Sequence, residues 1–193
     1  MIGAKSGEST RDRIVSAAAR LFYAEGIRAT SVDAVAHKAG IAKKTFYYHF
    51  ASKDNLLAAC LQAQDQPVLD LYARWFTDTE GEIAEKIEGI FSRFAEVASA
   101  AGWRGCGFQR TVAELASTPG HPAVKAGAAH KKRFQTWLAK VLSEAGVKQP
   151  EVVAVRILVL LDGASVVMLT HRDTSYVRAA GSLAAELVRN AKR

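Results

Sequence analysis

Residues 40 to 50 read GIAKKTFYYHF, packing two lysines, a threonine, two tyrosines and a histidine into about three helical turns. Placed on a helix, Phe46 and Phe50 stand four apart and share one direction, the buried one. Lys44 and Tyr48 then point almost directly away from it, with Thr45 beside them and Tyr47 and His49 on the flanks. Lys43 sits nearer the buried side, but its long stem reaches outward from the first turn. A helix that needed only a wet face would use glutamate, lysine and alanine. This face suits the DNA major groove, where lysine donates to guanine acceptors and threonine bonds a base or touches a thymine methyl. Tyrosine hydroxyls and histidine donors on the flanks can hold phosphates. Lys53, opening the next helix, adds a cation. The amides around Thr30, Ser31 and Val32 form a helix N-terminus able to clamp another phosphate. The plain alternative is that the aromatics pack inside and the lysines solvate the surface.

The elements that must position this face are helical. A first helix over residues 10–25 carries Ile14, Ala17, Ala18, Leu21 and Phe22 on one stripe and stops at Gly26. Thr30 and Ser31 cap a short helix over 32–39, closed by Gly40. A second short helix covers 42–50, and Ser52 caps a long one from Lys53. The turn Ala39-Gly40-Ile41 makes the two short helices a helix-turn-helix candidate, with glycine in the left-handed conformation and Ile41 plugging the space between them. Pro67 falls inside the long helix and predicts a kink or restart near Gln66, a joint in a lever shared by two halves. Further helices are expected over 82–101, 106–117, 122–145, 150–172 and 175–191, separated by glycine, proline and polar clusters. The expected fold is all-α, with about nine helices and no sheet.

The stretch from Thr10 through Leu57, above all TSVDAVAHKAGIAKKTFYYHFASKDNLL, resembles the N-terminal domain of the TetR family of transcriptional regulators. The likeness rests on the first helix ending at Gly26, the AGI turn, the TFYYHF helix and the SKDNL that follows. It implies an all-helical homodimer with a DNA-binding domain in front and a divergent domain behind that binds a small molecule and dimerises. It also implies DNA contacts at Lys43, Lys44, Thr45, Tyr47, Tyr48, His49 and Lys53. Two positions depart from the family pattern. Ala42 stands where serine is frequent, so a hydroxyl cap is missing, and Lys44 occupies a place often held by a small residue or proline. The domains expected are 1–52, reading DNA, and 53–193, binding an effector and a second copy.

In that larger part, Phe108, Arg110 and Glu114 of GWRGCGFQRTVAEL bring an aromatic and opposite charges into an apolar neighbourhood. With Phe76, Phe94, Trp103, Cys106, Trp137 and Asp162 they are the candidates to line a cavity for a small, largely apolar effector. Each aromatic has core packing as its alternative reading. Arg110 and Glu114, four apart, can pair with each other. Asp162, in LVLLDGASVVML, needs a partner, whether a ligand or a neighbouring helix. Gly163, Ala164 and Ser165 beside it permit close helix approach, which suits the last two helices joining a second copy as a four-helix bundle. The basic HKKRF at 130–134 reads as a solvated face.

Bulk properties agree. The 193 residues carry a net charge of +7, which favours a polyanionic partner. The opening MIGAKSGEST is polar and lacks the apolar core of a secretory leader. The longest apolar run, 152–170, is broken by Arg156 and Asp162, which argues against a membrane span. Cys60 and Cys106 offer neither a disulfide framework nor metal spacing, so no cofactor is expected and the cytoplasm is the expected compartment. No histidine pair, nucleophile elbow or phosphate-binding glycine loop points to an enzyme. The expected function is a ligand-released repressor on a palindromic operator. The other class is a helical ligand or redox sensor that does not act through DNA.

Overall fold

A computed structural model of the protein describes residues 9–118 and 120–192. Residues 1–8, Pro119 and Arg193 lie outside the described residues. Nine helices and no strand are present among those described: α1 Thr10–Glu25, α2 Val32–Ala39, α3 Lys43–His49, α4 Lys53–Asp78, α5 Ile83–Ala98, α6 Gly107–Glu114, α7 Pro122–Glu144, α8 Pro150–His171 and α9 Ser175–Lys192. The all-α expectation holds. Predicted boundaries move by a residue or two, except that α5 and α6 end three residues early. After Glu114 the backbone tightens into turns, with Ala116 and Thr118 donating to carbonyls three residues back.

Chain contacts divide the molecule into two compact units. The first holds residues up to Asp65 together with Arg110–Gly127, and the second holds Gln66–Gln109 together with Ala128 onward. These units cut the chain differently from the division expected at 52/53. Inside the first unit, α1 packs on α2 and α2 on α3. Ser9 caps α1 by accepting from the Asp12 amide, and Ser31 caps α2 by accepting from the Ala34 amide. Gly40 adopts φ 65° and ψ 42°, and the Ile41 amide reaches back to the Ala36 carbonyl at 3.0 Å. That is the left-handed helix stop expected of glycine, and it turns the chain sharply into α3.

Of the kink or restart expected near Gln66, the restart is absent: α4 runs through Pro67 as a single helix. Proline removes only one donor and burdens the preceding turn, and a helix anchored by packing on both sides of such a defect can absorb it.

The second unit has one apolar core, centred on Ile87, Ile90 and Phe91 of α5, Leu138 and Leu142 of α7, Ile157 of α8 and Val177 and Val188 of α9. α9 packs against α5 and α8. It approaches α5 so closely that a Cβ on Gly181 would stand 2.7 Å from the Cβ of Phe91, so only glycine fits there. Arg189–Glu85 at 2.9 Å and Lys192–Glu82 at 3.3 Å tie the same two helices at the surface. α8 is long and apolar enough to cross a membrane by length and composition, yet it carries Arg156 and Asp162 and buries its Val153, Ala154, Ile157 and Leu161 face in this core.

Candidate nucleic-acid interface

α3 has the two faces that its sequence predicts. Phe46 is fully buried and Phe50 is 4% exposed, whereas Tyr48 is 85% and Tyr47 51% exposed. Phe46 stands edge-on to Tyr47 and tilted against Phe50, with ring centroids 5.2 and 6.0 Å apart, so the aromatic run is anchored from beneath. Lys44 is exposed, and Thr45 and His49 are half-buried on the flanks. Ala42 provides no side-chain cap for α3, as its type requires. Arg13 donates to the Ala39 carbonyl at 3.0 Å, bracing the turn from α1. That brace escaped the sequence reading, because nothing local links residues 26 apart.

Three predicted contact residues are already engaged. Lys43 forms an ion pair with Asp33 at 3.0 Å, and the hydrogen bond and charge of Asp33 hold its ammonium above the usual lysine pKa. Thr30 is fully buried and donates its hydroxyl to the Gly26 carbonyl at 2.8 Å, so its side chain faces away from any partner. Lys53 donates to the carbonyls of Ile27 at 2.9 Å and Thr30 at 3.1 Å, which makes it a brace for the α1–α2 loop. Ser31 is exposed, with its oxygen in use as a cap.

The residues predicted to line an effector cavity scatter. In the second unit Phe94 and Trp103 pack edge-to-face inside the core, at a centroid separation of 5.9 Å. Phe108 is buried and lies flat on His130, 3.7 Å between ring centres. Phe76 and Trp137 meet edge-on at 5.7 Å. Asp162 forms an ion pair with Lys131 of α7. Cys106 is half-buried. Burial pushes the phenol of Tyr72 up, and the neighbouring Cys106 and Asp162 add to that shift. A groove of about 410 Å³ runs along α4 and α7 between Leu69, Ala73 and Trp137, with Lys132, Arg133 and Lys140 along its sides. Trp137 is the predicted ligand residue that faces it.

Arg110 and Glu114 do not pair with each other. Both serve the first unit. Arg110 donates to the Tyr23 carbonyl at 3.0 Å and lies over the Tyr23 ring, while Glu114 accepts from the amides of Ile27 and Arg28. Their four-residue spacing was the misleading signal. Among the described residues, no three metal-capable side chains gather into a site.

Two short helices joined by a left-handed glycine, with a polar and aromatic outer face, define a helix-turn-helix head, here followed by a larger helical bundle. Residues 14–60 match the model of the bacterial regulatory proteins of the tetR family. The chain is 37% identical over 90 residues to the transposon Tn10 TetC protein of Escherichia coli, covering 46% of this chain and 44% of that one. It is 35% identical over 86 residues to the transcriptional repressor KstR2 of Mycobacterium tuberculosis, covering 43% and 41%. The chain thus spans less than half the length of these curated relatives. Its whole fold is similar to the TetR-family transcriptional regulator of Streptomyces coelicolor, with a TM-score of 0.78 and 25% identity over 95% of this chain and 96% of that one. A TetR-type regulator of Streptomyces avermitilis gives 0.80 and 27% over 95% and 98%. Residues 14–60 are thus similar in sequence to the DNA-binding domain of the TetR family, and the full length is similar in fold to TetR-family regulators.

Proposed function

We propose that the protein is a DNA-binding transcriptional regulator, a repressor, that reads a palindromic operator as a homodimer and is released from it by a small effector. The observation that carries this reading is the outer face of α3. Tyr48 is left 85% exposed and Lys44 exposed on the helix whose Phe46 is fully buried. A soluble protein has no packing reason to present a tyrosine in this way, whereas base edges and phosphates supply partners for both groups.

Dimerisation has its own support. Val152, Val155, Val159 and Val166 are 43–64% exposed and fall three, four and seven residues apart along one face of α8. Gly163 sits between Val159 and Val166 on the same face, with nothing within 4 Å of its Cβ position. On α9, Tyr176 and Leu183 are 45% and 47% exposed, seven apart. An apolar stripe that includes a glycine suits a close crossing with its own copy about a two-fold axis. Two heads related by that axis require half-sites one helical turn of DNA, or a multiple, apart.

The effector is taken to bind in the larger half. It releases DNA only if it favours an arrangement of the heads that the duplex does not. α4 runs from Lys53 beside the reading head into the second unit, and is the covalent lever between them. Such a regulator works in the cytoplasm, where Cys60 and Cys106 stay reduced.

The test is a gel shift on the DNA upstream of the protein's own coding sequence and on a random-sequence library, across a range of salt. Binding that falls steeply with salt is expected. Lys44→Ala should erase sequence preference, and Tyr47→Phe should weaken all sequences alike. A folded dimer that shifts no duplex would overturn the proposal and favour a sensor that acts without DNA.

A further inference from the structure

We infer that Glu114 is a positioning residue for the reading head, holding from α6 the loop that orients α2 and α3. This rests on the DNA-reading proposal above. The loop over residues 26–31 joins α1 to α2 and carries the α2 cap, Ser31. Glu114 accepts from its Arg28 amide at 2.9 Å and from its Ile27 amide at 3.4 Å. On its carbonyl side, Lys53 takes Ile27 at 2.9 Å and Thr30 at 3.1 Å. Ile27 is therefore held by both its N–H and its C=O, between one anion and one cation. One turn before Glu114, Arg110 takes the Tyr23 carbonyl, a last-turn acceptor that α1 cannot satisfy itself. The contacts bridge 86 and 87 residues of sequence.

Two features make this more than local packing. Hydrogen bonds to a charged carboxylate are directional and stronger than neutral ones, and the 2.9 Å bond from Arg28 sets the loop's position while the longer one from Ile27 supports it. The loop also leads straight into Val32, the first residue of α2, and α2 packs on α3. A displacement of Glu114 by one ångström breaks these bonds and frees the angle at which α3 is offered. α6 begins at Gly107, beside Phe108 and Gln109, which belong to the second unit, where Gln109 donates to the Asp162 carbonyl at 3.2 Å.

The experiment uses the full-length protein and a duplex selected from a random-sequence library by the wild type. Glu114→Ala should weaken binding about tenfold to a hundredfold, with the salt slope unchanged because no phosphate contact is removed. Amide exchange at Ile27 and Arg28 should rise while exchange in the second unit stays as it was. Glu114→Gln keeps one acceptor and should recover part of the affinity, and Arg110→Gln should give a smaller loss of the same kind. If Glu114→Ala binds within twofold of wild type while its loop amides exchange faster, the inference is overturned and the DNA proposal stands. The inference is equally overturned if the lost affinity tracks a global drop in melting temperature and returns on cooling. If the wild type selects no duplex, both fall together.

Discussion

Val159 allows the dimer proposal to be tested with a worked magnitude. It lies on the outer face of α8 and is 64% exposed in the single subunit. Burying a whole valine is worth about 1.5–3 kcal/mol. Covering the part still exposed therefore yields about 1–2 kcal/mol per subunit, and a two-fold axis counts it twice, for about 2–4 kcal/mol per dimer. Val159→Lys removes that gain and brings two like charges together near the axis, adding about 1 kcal/mol of repulsion in a wet setting. The dimer dissociation constant should rise roughly a hundredfold or more. The single subunit should lose almost nothing, about 0.5 kcal/mol at most, since the site is exposed and lysine is a better helix former than valine. Sedimentation over a concentration series reads the first quantity and thermal unfolding below the dissociation range reads the second. A variant that dimerises as tightly as the wild type, or a wild type that stays monomeric when concentrated, would remove α8 from the interface.

Other expectations can be checked more briefly. Phe46→Ala should cost about 3–5 kcal/mol of stability, whereas Tyr48→Ala should leave urea unfolding unchanged and weaken binding to the preferred duplex by about 1–3 kcal/mol; equal effects at the two positions would refute the two-faced reading of α3. Pro67→Ala restores the amide that α4 lacks and should raise stability by up to about 3 kcal/mol, seen as a higher melting temperature. If both DNA affinity and effector response also stay unchanged, Pro67 is no joint in the lever. Cys60 is buried against the Val15 carbonyl, and burial pushes its thiol up to about 12. It should resist thiol reagents at pH 8 until the chain unfolds. Because the unfolded thiol ionises near 9 and the folded one only near 12, stability from this group is full below pH 9 and declines as the pH rises through that window.

The sequence disclosed whatever depends on near neighbours. Phe46 and Phe50 fixed the inner face of α3 by their spacing, Gly40 marked the turn by its freedom at positive φ, and Ser31 and Ser52 marked helix starts by capping chemistry. It did not disclose partners brought together only by folding. Lys53 looked like a phosphate contact because a lysine beside a recognition helix has that default use. Within the chain it also donates to carbonyls 23 and 26 residues away, which no local pattern announces. Arg110 and Glu114 sit at ideal helical spacing for each other, yet each finds unsatisfied backbone in the first unit, where a charged side chain gains more than from a wet i,i+4 pair. The restart that Pro67 offered does not occur, since that local penalty is outweighed by packing along the 26 residues of α4.

The bond between Lys43 and Asp33 bears on selectivity. A head that approached a duplex with all its cations idle would cling to any stretch of phosphate. In the DNA-bound state proposed above, an internal rival already occupies one of them, so Lys43 would leave Asp33 only for a phosphate or base that offers more. Random encounters would then be briefer, and the ability to leave the wrong address would lie in the first turn of the reading helix.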